Sequence, residues 1–258
     1  MSTFLEGGCY VSHMSENVPV VSGTLSQRNV IGASTGAQAI SLRILEFSKG
    51  LSPGIRSDAD TVLYRLESSD EDNDKTCTAL IDGRRFEIPT QTGIYVRPGE
   101  TFAVLNDKEE PVVFIGSQCP ESVESSLVPA IIGSQIEFSK TDIAPIIRLQ
   151  DRAAIPTADR WYRVLVDDEL GSMQVTQFVG SIPPGRAPDH FHNYEEVLFI
   201  LRGEGRMWGG KKSRAIEPGH CIYLPKGQVH CVENTGSSEL RLLGVFYPAG
   251  SPAVRYES

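Results

Sequence analysis

Four side chains in the last third of the chain, His190, His192, Glu196 and His230, make up a donor set for a first-row transition metal. Three of the five histidines of the protein are in it. Imidazole and carboxylate together suit Fe, Mn, Ni, Co or Zn, and four protein donors leave open positions at a five- or six-coordinate ion where a small molecule can bind. The chemistry open to such a site is redox activation of dioxygen or Lewis-acid activation of a substrate oxygen.

The elements that must position these donors are strands. Alternate side chains of an extended strand share a face, so His190 and His192 can aim at one point. Glu196 follows four residues after His192, room for the chain to turn and deliver a carboxylate from the next strand. Val197 to Leu201 is an apolar run too short for a helix, and the glycine-rich stretch from Gly203 to Gly210 reads as a hairpin behind it. His230 arrives on a separate strand after Pro225-Lys226-Gly227, a tight turn in which proline sets φ and glycine tolerates a positive one.

These residues resemble the two cupin motifs. Gly185 to Gly203 is similar to the first, a glycine followed by H-x-H, three or four residues, Glu, six residues and Gly. Three residues separate His192 from Glu196 and six separate Glu196 from Gly203, while the lead-in from Gly185 to His190 holds four residues instead of five. Gly219 to Asn234 matches the second motif, G-x5-P-x-G-x2-H-x3-N, at every fixed position. The resemblance implies an all-β jelly-roll barrel in which His190, His192, Glu196 and His230 hold one divalent transition metal. It also implies a small-molecule substrate and a homodimer. The leading expectation for activity is an Fe(II)-type oxygenase. The alternatives are a non-redox isomerase, lyase or hydrolase, and a cupin that binds a small molecule without catalysis. Within the family, the donor types match those of tandem oxalate decarboxylases and quercetin-type dioxygenases, whereas the bicupins that hydrolyse ureidoglycine use Glu-x-His with a later His and Gln.

An internal repeat extends the fold to the whole chain. Arg43 to Gly54 aligns with Gln174 to Gly185 at an offset of 131, Val62 to Leu66 with Val197 to Leu201 at 135, and Thr92 to Asn106 with His220 to Asn234 at 128. The expected architecture is therefore two tandem cupin barrels: an N-terminal arm over residues 1–22, a degenerate barrel over 23–128 and a metal-binding barrel over 129–258. On this alignment the first half lacks four residues where the second carries its ligands, and Phe102 stands where His230 stands. Asp58 and Asp60 are the carboxylates left in that region. The acidic run Ser68 to Lys75 falls within seven extra residues of the first half and reads as an exposed hairpin tip.

Beyond the metal ligands, Gln177, Glu195 and Tyr223 are the candidate pocket residues, with Arg163, Gln174, Tyr194, Met207 and Trp208 as further side chains of the second half with suitable chemistry. One bulge reverses strand parity, so periodicity alone does not decide which of them face the metal. The 258 residues carry a formal net charge of −9 with no basic cluster, which argues against nucleic acid or an anionic membrane as partner. No apolar run approaches the length of a membrane span, and the five cysteines are few and odd in number, the pattern of reduced thiols. A cytoplasmic location is the expectation.

Overall fold

The computed structural model describes residues 2–67, 76–121, 124–133 and 143–253. Two jelly-roll barrels follow one another in the chain, and the acidic run Ser68 to Lys75 lies outside the described residues. Each barrel sets a large antiparallel sheet against a smaller one. In the first half the large sheet runs, in spatial order, Ile146–Arg148, Thr92–Val96, Asp60–Arg65, Val112–Cys119, Leu42–Phe47, Leu25–Ile31 and Val20–Ser22. In the second the order is Thr3–Phe4, Tyr10–His13, His220–Leu224, Glu195–Arg202, Leu240–Tyr247, Thr176–Ile182, Arg160–Val166 and Ile155–Thr157. A four-stranded sheet of Gly185–Arg186, His230–Asn234, Gly205–Gly209 and Lys212–Ile216 closes the second barrel.

Alternation along these strands produces three cores. Leu45, Phe47, Leu63, Phe102 and Phe114 fill the first barrel, and Phe178, Leu198, Ile222, Leu242 and Phe246 fill the second. The opposite faces of the two large sheets, carrying Ile44, Val62, Tyr64, Val179, Val197 and Phe199, pack against each other as a third core between the barrels. Both large sheets are thus buried on both faces, which is why their strands read as nearly unbroken apolar runs rather than as clean alternations.

The halves trade strands. Tyr10–His13, from the N-terminal arm, pairs with His220–Leu224 of the second barrel. Ile146–Arg148, which follows the join, pairs with Thr92–Val96 of the first. The exchange is reciprocal in register: His13 sits opposite His220, and Arg148 opposite Thr92, with 148 − 13 giving an offset of 135.

That offset corrects the repeat alignment. Phe102 pairs with Ile55 as His230 bridges to His190, so Ile55 is the counterpart of His190 at 135 and not at 131. The same holds for Ile44 and Val179, which face Ile115 and Leu243. A single offset of 135 therefore runs through the ligand region, and no four residues are missing from the first half. The counterparts of His190, His192, Glu196 and His230 are Ile55, Ser57, Thr61 and Phe102. Gly50, with φ 116°, is the true partner of Gly185, with φ 126°.

Candidate metal centre

His190 and His230 exchange backbone hydrogen bonds, His190 N to His230 O at 3.1 Å and His230 N to His190 O at 2.8 Å. This bridge joins the first motif to the second and brings the rings to a centroid distance of 4.6 Å. His192 is set by the Pro225-Lys226-Gly227 turn, where the Gly227 N–H donates to its carbonyl at 2.7 Å and Gly227 adopts φ 76°. The ligand atoms of His190, His192 and His230 all lie within 4.8 Å of one another. Glu196, from the Glu195–Arg202 strand, brings Oε2 to 3.7 Å from His192 Nε2. Tyr194 stacks on the His192 ring at 4.6 Å and 7°, and on Phe246 at 4.3 Å and 20°, so the imidazole is clamped from one side.

The donor chemistry fits a divalent cation. His230 Nδ1 lies 2.8 Å from the Gln228 carbonyl and His190 Nδ1 lies 3.0 Å from the Pro188 carbonyl. A carbonyl only accepts, so each Nδ1 carries the proton and each Nε2 keeps a lone pair for a metal. Burial, and after it the neighbouring His190 and His192, pulls His230 down to about 3, which keeps it neutral. Burial pushes the Glu196 carboxyl up to about 8. A buried carboxyl facing three imidazoles, with no guanidinium or ammonium beside it among the described residues, is a site short of one positive centre.

Next to the donors lies a cavity of about 120 Å³. Tyr162, Phe178, Leu198, Val232 and Leu242 belong to its wall, with Arg160 the one guanidinium among the described lining residues. Gly244 makes room for this wall, since a Cβ there would stand 2.3 Å from the Phe178 ring. Sequence reasoning missed these apolar residues. Part of their signal was present: once Glu196 faces inward, Leu198 on the same strand must face inward too, whereas Phe178 follows only from the pairing register.

Parity turns the three pocket candidates away from this cavity. Glu195 and Tyr223 precede or alternate with inward residues and so point the other way, into the seam between the barrels, where both are buried. Gln177 is fully buried on the same outer face, against Gly93 of the first half, with neither amide atom hydrogen-bonded. None of the three lines the cavity. Of the wider set, Gln174 donates to Asp60, Arg163 to the Leu149 carbonyl and Trp208 to Glu233, while Met207 lies in the second core. Tyr194 is the member of this set seen stacked on the histidine cluster.

A cupin domain model matches residues 178–246. With two such barrels in tandem, the chain belongs to the cupin superfamily as a bicupin. An uncharacterized protein of Aquifex aeolicus is 30% identical over 86 residues, 32% of this chain and 69% of that protein. An oxalate-binding protein of Thermotoga maritima is 36% identical over 66 residues, 25% of this chain, and an auxin-binding protein of Nicotiana tabacum is 30% identical over 87 residues, 29% of this chain. The match spans about half of each of these two, 54% and 46%. Among solved structures, oxalate decarboxylase of Bacillus subtilis at pH 4.6 superposes with TM-score 0.69 over 92% of this chain and 75% of that one, at 15% identity. A variant of the same enzyme gives 0.74 over 96% and 78%, at 14% identity. The likeness to these structures is one of fold.

Proposed function

We propose that this chain is a metal-dependent enzyme of the non-redox kind, a lyase acting on a small organic acid. The observation that carries the reading is the cluster of three imidazoles, His192 and His230 buried and His190 half-buried, with the buried Glu196, opening onto a small, largely apolar cavity. The oxygenase expectation gives way to this alternative, because the fold likeness is to a decarboxylase and one curated relative is named for binding oxalate. His190, His192, His230 and Glu196 would hold the ion. When bound, a divalent cation here supplies Lewis-acid polarisation of a substrate carboxylate or carbonyl oxygen. The chain's own residues do the rest. The Nδ1–carbonyl hydrogen bonds orient the rings, Tyr194 and Phe246 hold His192 in place, and Tyr162, Phe178, Leu198 and Leu242 exclude water, which strengthens every charge interaction at the donors. A cavity of this size admits a substrate of a few heavy atoms and not a large one. We also propose a homodimer, checked by a light-scattering mass of twice 28.2 kDa.

The test is turnover of small mono- and dicarboxylic acids by protein reconstituted with Mn, Fe, Co, Ni or Zn, run with and without oxygen. Equal carbon–carbon cleavage in both atmospheres is the expected result. Turnover that stops without oxygen would overturn the Lewis-acid reading, and a chain that takes up no metal would overturn the centre itself.

A further inference from the structure

Glu195 and Tyr223 have a partner across the seam. Glu195 accepts from the backbone N–H of Gln38, at 3.1 Å to Oε1 and 3.2 Å to Oε2, and from that of Ala39, at 2.7 Å to Oε2. The Tyr223 hydroxyl donates to Oε1 at 2.9 Å and lies 3.2 Å from the Gly36 carbonyl oxygen. A loop of the first half, Gly36 to Ala39, thus grips a side chain of the second.

The first half carries the mirror arrangement. Asp60 stands at the position of Glu195 (195 − 60 = 135) and Tyr95 at that of Tyr223 (223 − 95 = 128). The Tyr95 hydroxyl donates to Asp60, and Gln174, the counterpart of Ala39 (174 − 39 = 135), donates Nε2–H to Asp60 Oδ2 at 2.7 Å. Gly36 and Gly171 turn the two loops with φ 93° and 89°. Two acid–tyrosine latches therefore cross the seam in opposite senses. They differ in the loop donor, backbone N–H groups for Glu195 and the Gln174 side chain for Asp60, and in the residue next to the acid: Thr61 after Asp60, the proposed ligand Glu196 after Glu195.

We propose that the Glu195 latch is a positioning device for the metal centre, through which the first barrel holds Glu196 against the imidazoles. The inference rests on the metal reading above. Consecutive residues of a strand face opposite ways, so tying the Glu195 carboxylate to Gln38, Ala39 and Tyr223 fixes the peptide from which Glu196 projects. The Asp60 latch does the mechanical part alone, with no donor beside it. A first barrel with no metal-ligand cluster among its described residues then contributes to the site by supplying the donors that orient a ligand of its neighbour.

The two latches control for each other. Co(II) is titrated into the full chain and into Glu195→Gln, Tyr223→Phe and Asp60→Asn, with melting temperature and the visible spectrum of the loaded protein recorded. Glu195→Gln and Asp60→Asn are expected to lower the melting temperature by similar amounts. Only Glu195→Gln and Tyr223→Phe should weaken Co(II) binding, by about tenfold or more, and shift the spectrum. Wild-type affinity and spectrum in both Glu195→Gln and Tyr223→Phe overturn the proposal, as does an equal loss in Asp60→Asn, which would mean general loosening. If Glu195→Gln does not fold, Tyr223→Phe, which removes a single donor, decides alone. A wild-type chain that binds no Co(II) overturns the centre, and the positioning role with it.

Discussion

At the scale of single residues, the site is held by groups whose charge states folding has already displaced. Glu196 is raised from 4.5 to about 8 by burial. Below pH 4.5 the folded and unfolded chains both keep this proton, so its stabilising share is fully present. Between 4.5 and 8 only the folded chain keeps it, and stability is lost as pH rises. Metal-free protein should therefore lose on the order of a few kcal/mol relative to Glu196→Gln between pH 4.5 and 8, and parallel denaturant melts of the two proteins measure it. His230 acts in the opposite sense, its lowered value costing stability as pH falls from 6.5 towards about 3. Metal-loaded protein should show no loss specific to Glu196, because the cation stabilises the ionised carboxylate. Replacing His192 or His230 with Ala should take metal content from about one per chain to near zero while circular dichroism stays that of a folded β protein, since neither side chain is a member of the apolar cores. The convergence of His190, His192, His230 and Glu196 was legible in the sequence because their types and spacing are specific. Glu195, Tyr223 and Gln177 were not, because a polar residue beside a ligand is chemically indistinguishable from one facing it until parity is known.

At the scale of elements, register decides what chemistry can form. Aligning Leu51-Ser52-Pro53-Gly54 with Ile182-Pro183-Pro184-Gly185 matched turn residues, which recur wherever strands end, and so slipped the first half by four residues. Pairing partners carry the true register, and they cannot be read from one strand alone. The Thr92 and His220 segments aligned correctly, because there Tyr95, Gly99 and Asn106 fix several positions across a whole strand–turn–strand unit. The Leu240–Tyr247 strand offers a direct test of how tightly these elements fit. Gly244→Ala places a methyl 2.3–2.4 Å from the Phe178 ring. It should cost about 1–3 kcal/mol by overpacking and narrow the cavity, read as a lower melting midpoint and weaker substrate or inhibitor binding.

At the scale of the whole molecule, the two-barrel architecture was visible in the repeat, while the traded strands were not. A strand that leaves its own half carries no local mark of doing so. The division into 1–22, 23–128 and 129–258 remains our proposal for how the repeats are laid out, but the pieces are not expected to stand alone. A fragment of residues 23–128 lacks Ile146–Arg148 and one side of the core between the barrels. It should be aggregated or largely unfolded in solution, and the full chain should melt in one transition by calorimetry; two separate transitions would contradict this.

The trade of strands also sets a timetable for synthesis. As the chain leaves the ribosome, the outer edge of Thr92–Val96 has no neighbour until Ile146–Arg148 emerges, some fifty residues later. For that interval the nascent first barrel offers an unpaired edge to any passing strand. The second barrel has no such interval, because Tyr10–His13 is already made and waiting when His220–Leu224 appears. The hazard of mispairing during translation therefore falls on the first half, and the half that carries the histidine cluster is capped on arrival.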